Sequence, residues 1–509
     1  MPLVNSLLNR INSSRLRSID YFRRHPQEVQ EQTLFNLLSR AKNTEYGQLN
    51  GFSRFKSIAD FQQGLPVMEY EDFKPYIDRM RSGEENLLWP GKISWFAKSS
   101  GTTQNKSKFI PVSREGLNGC HFRGSRDVIA IYFDLYPKNG LFRGKGLTLG
   151  GSHQVDTLSG SSRYGDLSAI LLQNQPWWTD FIRTPSQRVA LIPDWEQKLE
   201  KITGETLTQN VTSITGVPSW NLVMIKHILN HTGKSNLLEV WPNLELFIHG
   251  GVSFTPYRDQ YFKLIPSPQM HYMEAYNASE GFFAIQDNPE TDDMLLMLDY
   301  GVFYEFIPAE QLGQPNPPAY PIGEVEVGKN YAMLITTSSG LWRYLIGDTV
   351  TFTSKSPYKI KITGRTRHFI NAFGEEIIID NAEKAIKKAC DATGAQVAEY
   401  TAAPVYMETD KKGSHEWLIE FNVDPASLDE FSRLLDAALC EVNSDYEAKR
   451  YKNITLDFPL VRSLAKGTFF EWMKRNNKLG GQNKVPRLSN NRDYANQLLA
   501  IHRELSSAS

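Results

Sequence analysis

Apolar positions over the first ~90 residues recur at helical spacing. Leu7, Ile11, Leu16, Ile19 and Phe22 form one series, and Val29, Leu34, Leu37 and Leu38 a second. The spacing predicts helices punctuated by turns. The pattern then shortens. Ile93–Ser99 (ISWFAKS) and Lys108–Val112 (KFIPV) are brief, aromatic and β-branched, and read as two strands joined by a Ser/Gly/Thr loop. Trp220–Asn230 reads as helix, and Leu244–His249 as a strand ending on Gly250-Gly251. The long apolar stretch Met294–Ile307 is interrupted by Asp299, Tyr300 and Gly301, which break any simple helix. Tyr331–Thr336 and Leu341–Ile346 read as strands. A tight Gly347-Asp348 turn into Thr349–Thr353 is predicted to close a hairpin.

After Lys359 the pattern changes again. KIKITGR reads as a strand ending in a turn, followed by FINAF and a Gly374-Glu375 turn into EIII. Asp380 with Glu383 three residues later resembles a capping box opening the helix Asn381–Asp391. Strands Gln396–Tyr406 and Glu416–Val423, a helix Ala426–Val442, a strand Ile454–Leu460 and terminal helical segments follow. Alternating strands and helices of this extent make a separate α+β domain. The boundary falls near Gly364, dividing the chain into residues 1–363 and 364–509. No internal repeat or low-complexity segment appears.

A chain of 509 residues exceeds one ordinary core, in keeping with two domains. The formal net charge is −1, with acids and bases interleaved. No basic stripe suits a nucleic-acid backbone, and no acidic tail suggests a charged partner. Cys120, Cys390 and Cys440 are odd in number and widely spaced. They build neither a disulfide framework nor a Cys-rich zinc site, and fit reduced cytosolic thiols. The N-terminus lacks the continuous apolar core of a signal peptide, and no uncharged apolar run approaches the ~20 residues that span a bilayer. A soluble cytoplasmic protein without nucleic-acid or membrane partners is expected, its oligomeric state left open.

The loop Ser99–Lys108 (SSGTTQNKSK) offers hydroxyl donors and a backbone free to turn its amides inward. Such a nest binds phosphate oxygens, with Lys106 or Lys108 adding a point charge. Taken alone it fits a polar hairpin loop equally well. It is not a Walker A loop, because the second glycine is missing and a strand follows rather than a helix. Thr232–Ser235 (TGKS) fails for want of the upstream glycine, which is Ile228. Gly250-Gly251 after an apolar strand lets a flat ring approach the backbone, or simply ends the strand. In Tyr276–Gly281 (YNASEG) a ring, a hydroxyl and a carboxylate lie together, and Glu280 suits magnesium. Asp348 suits two vicinal hydroxyls, as carboxylates do with ribose. Gly480–Arg487 (GGQNKVPR) sets Lys484 in a loop able to extend it to a phosphate, or forms a linker. His227 and His231 lie at i,i+4 without HExxH or a third ligand, and read as surface or packing residues. There is no GxSxG elbow, and Gly144–Gly151 lacks the dinucleotide fingerprint.

The order of these fragments is more specific than any of them. SSGTT…K, Gly-Gly, Y-x-x-S-E, W-R-Y-L-I-G-D, G-R-T-R and K-V-P-R together resemble the adenylate-forming superfamily. SSGTTQ…KFIPV, FIHGGVSFTPY, YNASEG and GRTRHFINAFGEE look like the Gretchen Hagen family of acyl acid amido synthetases, its bacterial branch above all. The resemblance runs from the N-terminal helices through Arg487. It implies an α/β chain: a large N-terminal adenylate-forming domain of mixed sheets, helices and a β-barrel-like part, with a small mobile α+β C-terminal domain. It implies that Ser99, Ser100, Gly101, Thr102, Thr103 and Lys108 bind the phosphates of ATP, and that Gly250, Gly251 and Tyr276 wall the adenine. Ser279 and Glu280 correspond to the hydroxyl–acid pair near Mg2+, Asp348 to the ribose-binding aspartate and Arg365 to the arginine beside it. Arg367 falls at the hinge, and Lys484 matches the lysine that stabilises the adenylation transition state. Asn105, Ser107 and Trp342 depart from the family's usual residues.

The expected activity is ATP-dependent adenylation of a small carboxylic acid, then transfer to an amine, an amino acid by resemblance, giving an amide. Transfer to coenzyme A and a nucleotide-binding protein without catalysis are the alternatives. Trp177 and Trp178, with His153 upstream, read as packing residues or as the wall of an aromatic-acid pocket.

Overall fold

A computed structural model of the chain describes residues 2–99, 108–149, 156–157, 162–192, 194–252, 254–314, 316–365, 369–375, 377–407, 412–450, 456–476 and 486–508. It is a mixed α/β structure with a large N-terminal domain and a separate C-terminal domain.

Two helices, Pro2–Arg24 and Pro26–Ala41, open the chain. Pro26 has no N–H to lose at a first helical position, so it restarts the helix. The second helix buries Leu34, Leu37, Leu38 and Ala41 on one face. Its buried Gln30 stitches that face to the sheet: Nε2 donates to the Leu298 and Val302 carbonyls at 2.9 Å, and Oε1 accepts the Tyr304 N–H at 2.8 Å. The apolar stretch beginning at Met294 is thus two strands, Met294–Leu296 and Val302–Pro308. The expected interruption is a turn on Gly301, where φ is 68°.

Among the described residues, twelve strands form one mixed sheet. Arg183–Thr184, Lys145–Thr148, Val211–Gly216, Leu246–His249 and His271–Ala278 run parallel in that order. From His271–Ala278 onward the pairing is antiparallel through Gly281–Ile285, Met294–Leu296, Tyr358–Arg365, Tyr344–Lys355, Asn330–Thr337, Val302–Pro308 and Tyr320–Pro321. A second sheet carries the hairpin-like pair Trp95–Ser99 and Lys108–Val112. Gly250, Ser279 and Glu280 thus follow the carboxyl ends of neighbouring strands, where open α/β sheets hold ligands.

Three local expectations are corrected. Gly347-Asp348 is not a hairpin turn but lies inside one continuous strand, Tyr344–Lys355. Between the pairs Leu334↔Leu345 and Ala332↔Thr349 the partner advances two residues and this strand four, so a two-residue bulge surrounds Gly347, whose φ is 96°. A Gly-Asp pair serves a tight turn and a bulge alike, because both need left-handed backbone. The actual reversal lies at Ser338–Arg343, with Leu341 and Trp342 fully buried and Trp342 Nε1 donating to the Leu88 carbonyl at 3.2 Å. Second, Asp380 does not cap a helix. The helix spans Ile379–Thr393, and Asn381 Oδ1 accepts the Ile378 N–H at 3.2 Å, while Glu383 pairs with Arg487. Third, the strand expected at Ile454–Leu460 is Leu460–Ser463, parallel to Glu416–Ile419; residues 451–455 lie outside the described residues.

The C-terminal domain shows period-two burial. Strands Gln396–Val405 and Ser414–Val423 turn Ala402, Trp417 and Ile419 to one face and Ala403 and Leu418 to the other. Helices Ile379–Thr393 and Leu428–Val442 cover the first face, and Thr468–Arg475 and Asp493–Ala508 the second. The first of these cores is continuous with that of the large domain, where Ile225, Tyr257 and Tyr261 join Phe373 and Trp417. No helix among the described residues is long and apolar enough to cross a membrane.

Candidate functional site

The strand Tyr344–Lys355, where the sequence predicts a hairpin turn, organises the site. Its bulge sets Asp348 against the strand His271–Ala278, where the Tyr276 hydroxyl donates to Asp348 Oδ2 at 2.5 Å. Both side chains are buried, so this bond is made away from competing water. At its start the same strand carries Tyr344, whose hydroxyl donates to Glu280 Oε1 at 3.5 Å. One strand therefore holds two carboxylates in place, one as its own residue and one through a phenol. Tyr344 escaped the sequence analysis, though it sits four positions before Asp348 in the same motif.

Gly250 explains how the neighbouring turn lies so close. A Cβ there would stand 2.2 Å from the Ala275 carbonyl oxygen, on the strand that carries Tyr276. Gly251 follows with φ 83°. The Gly-Gly turn therefore lies against the strand that carries Tyr276 and, having no side chains, suits the close approach of a planar base. Before it, burial pushes the His249 imidazole down to about 3, so it is neutral and stacks on Phe254 at 4.3 Å. Burial, with a contribution from Asp292, raises the Glu274 carboxyl to about 7. Neither residue was singled out from the sequence, since a lone His or Glu in a strand carries no local signal.

Ser99 pairs with Lys108 at the open end of the antiparallel ladder Trp95–Ser99/Lys108–Val112, so the Ser/Gly/Thr loop does join two strands. Ser100, Gly101, Thr102, Thr103, Asn105, Lys106 and Ser107 lie outside the described residues, as do Arg367, Lys484 and His153. Lys108 Nζ is 5.6 Å from the centroid of Tyr70, and the Tyr70 hydroxyl accepts the Phe109 N–H at 2.9 Å. Burial pushes that phenol up to about 12. Asp348 stands opposite Arg365 in the ladder with Tyr358–Arg365. Just after Lys484, the Pro486 carbonyl accepts from Thr401 Oγ1 at 2.6 Å and the Arg487 carbonyl from the Ala402 N–H at 2.9 Å, tying Pro486 and Arg487 to the C-terminal sheet.

The structure thus brings Gly250, Gly251, Tyr276, Ser279, Glu280 and Asp348 to one end of the sheet. The rejected motifs stay apart. Gly233 ends the helix Pro218–Thr232 at φ 67°, so Thr232–Ser235 sits at a carbonyl end, which repels phosphate. His227 and His231 share that helix, and no group of three metal-binding side chains occurs among the described residues. Trp177 and Trp178 are 77% and 50% exposed, placing them on the surface rather than in a core. Glu280 suits magnesium in its donor chemistry, since that ion takes one or two carboxylates and fills its octahedron with phosphate oxygens and water.

Three family models cover most of the chain: the GH3 family N-terminal domain over residues 15–270, the central domain over 295–365 and the C-terminal domain over 380–493. The chain is similar to indole-3-acetic acid-amido synthetase GH3.4 of Arabidopsis thaliana, at 26% identity over 93% of this chain and 91% of that protein. It is also similar to 4-substituted benzoates-glutamate ligase GH3.12 of the same plant, at 22% identity over 91% and 92%. Among solved structures it matches the AtGH3.15 acyl acid amido synthetase in complex with 2,4-DB, with a TM-score of 0.61 and 19% identity over 93% of each chain. With models of all three of its domains matching in chain order, this protein belongs to the GH3 family.

Proposed function

We propose that this protein uses ATP to adenylate a small carboxylic acid and then passes the acyl group to an amine, an amino acid, to form an amide. The observation that carries the reading is the Tyr276–Asp348 hydrogen bond, which joins a ring on the strand beside the Gly-Gly turn to a carboxylate 72 positions along the chain. A ring, a flat backbone and a carboxylate in that relation suit adenine and ribose together. The relatives' names, an indole-3-acetic acid-amido synthetase and a benzoates-glutamate ligase, support an acid and an amino acid as the substrates.

In the first step a carboxylate oxygen of the acid attacks the α-phosphorus of ATP, the bond to the bridging oxygen breaks, and acyl-AMP and pyrophosphate form. Two anions must meet, so placed positive charge is the main catalytic service. Ser99, Ser100, Gly101, Thr102 and Thr103 hold the phosphates, and Lys108 and Lys484 supply charge. Asp348, with Arg365 beside it, fixes the ribose and so the in-line approach. Ser279 and Glu280 would hold magnesium, which when bound supplies further charge to the phosphates. In the second step the amine nitrogen attacks the acyl carbonyl, the acyl–oxygen bond to AMP breaks and the amine's proton passes to solvent. The C-terminal domain, beginning near Gly364 and hinged at Arg367, carries Lys484 toward the phosphates for the first step and away for the second.

ATP–pyrophosphate exchange across a carboxylic acid panel tests the first step, and product analysis with mixed amino acids or coenzyme A tests the second. Exchange followed by an amide supports the proposal. A thioester with coenzyme A and no amide would overturn the second step, and bound ATP without exchange for any acid would overturn both. Lys484→Ala should suppress exchange while leaving ATP binding intact; exchange at the wild-type rate would remove that lysine from the reaction.

A further inference from the structure

Where the C-terminal domain meets the helix Pro218–Thr232, one lysine is buried between the two. Lys449, near the end of the helix Ser444–Arg450, is 9% exposed. Its ammonium lies 3.9 Å from the centroid of the Trp220 ring, in the first turn of Pro218–Thr232. Gly374 makes the room. A Cβ there would stand 3.2 Å from Lys449 Cε, 3.5 Å from Nζ and 3.6 Å from Trp220 Nε1. Its φ of 92° also disfavours a side chain. Three distant segments close on one charge.

Burial pushes the Lys449 ammonium below its usual range, and Asp445, Asp166 and Glu375 pull the other way. Asp166 precedes the helix Leu167–Asn174 of the large domain, so the opposing charges are themselves divided across the junction. Glu375 is firmly seated. Its carboxylate accepts the Ala372 and Phe373 N–H groups at 3.1 and 2.7 Å and bonds His415 Nε2 at 2.8 Å, with both side chains fully buried. The large domain grips the same loop at Ala372, whose carbonyl accepts from the Tyr257 hydroxyl at 2.6 Å.

We infer that Lys449, seated on Trp220 in the space left by Gly374, is the latch that holds the C-terminal domain in its present orientation. It is a positioning residue, acting on whichever step that orientation serves, and this rests on the two-step reading above. The apolar contacts around it are non-directional and tolerate sliding. A cation over an aromatic face has a defined seat. It also releases cheaply, because an ammonium leaving the ring regains its hydration, whereas an exposed apolar anchor does not. A latch between alternating orientations needs both properties.

The test compares Lys449→Met, Trp220→Leu and Gly374→Ala with the wild type in two assays: pyrophosphate exchange, and amide formation from preformed acyl-AMP in a single turnover. The ratio of the two rates should move roughly tenfold in the same direction for all three. Lys449→Arg and Trp220→Phe should restore most of it, and the Lys449→Met/Trp220→Leu pair should be non-additive. An unchanged ratio, or equal loss in both assays, would overturn the latch. Small-angle scattering separates this from failure of the underlying reading. If the wild type shows no exchange with any acid, the two-step reading falls, and the latch then stands on a larger radius of gyration in Lys449→Met and Gly374→Ala and falls if scattering is unchanged.

Discussion

The Tyr276 hydroxyl donates to Asp348 Oδ2 at 2.5 Å, joining two strands that are not neighbours in the sheet. The phenol thereby fixes the carboxylate's orientation before any ligand arrives. Such preorganisation removes an entropic cost from binding.

Tyr276→Phe keeps the ring and deletes the donor. A hydrogen bond to a charged group contributes about 1.5–3 kcal/mol, so the KM for ATP in the exchange assay should rise about tenfold or more. Asp348→Asn should raise it further. An unchanged KM in Tyr276→Phe would show that the hydroxyl carries nothing.

Arg343 is held at φ 44°, with its guanidinium bonded to Glu305 at 3.0 and 3.1 Å and to the Gln62 carbonyl at 2.9 Å. Arg343 and Glu305 are 5% and 1% exposed. Removing one partner strands a buried charge, so Arg343→Met should lower unfolding stability by about 3–5 kcal/mol in urea titrations. Arg343→Met with Glu305→Met should lose distinctly less.

Gly250→Ala places a methyl 2.2 Å from the Ala275 carbonyl oxygen, a contact only backbone movement relieves. A stability loss of about 1–3 kcal/mol is expected. Because the displaced strand carries Tyr276, the thermal shift produced by ATP should also shrink. Gly204→Ala, where nothing lies within 4 Å and the backbone is not left-handed, serves as the uncrowded control.

Glu274, His249 and His121 together should give stability a local maximum near pH 6.5. Burial, with Asp292, holds the Glu274 carboxyl at about 7, against roughly 4.3 when unfolded. The folded chain binds this proton more tightly, so stability falls as pH rises through that interval. Burial holds His249 at about 3 and His121 at about 4, against roughly 6.5 unfolded. Their contribution is complete above that value and is lost as pH falls below it. Glu274→Gln should raise stability at pH 8 by about 1–3 kcal/mol and change it little at pH 4, as read by denaturant midpoints.

Much of this was legible in the chain. Helical spacing marked Val29 to Leu38, β-branched runs marked the pair Trp95–Ser99 and Lys108–Val112, and the order of weak motifs pointed to the family when no single motif did. What escaped was set by contacts between distant segments. A Gly-Asp pair signals left-handed backbone without saying whether a strand reverses or bulges there, so the setting of Asp348 was missed. Tyr276 was read as a ring only, because its hydroxyl's partner lies in another strand. Lys449 had no signal at all: a lysine in the charged run Glu447–Lys452 reads as solvated, and only the fold brings Gly374 and Trp220 to it.

The pairing of Asp348 with Arg365, and of Thr349 with Gly364, has a mechanical consequence. One rung of the ladder joins Asp348 directly to Arg365, the last residue of the strand Tyr358–Arg365. A ligand held by Asp348 would therefore bear directly on the strand end that leads to the C-terminal domain. Ribose binding and domain placement would then share one short piece of backbone, and loosening that last rung should uncouple them while leaving both halves of the protein folded.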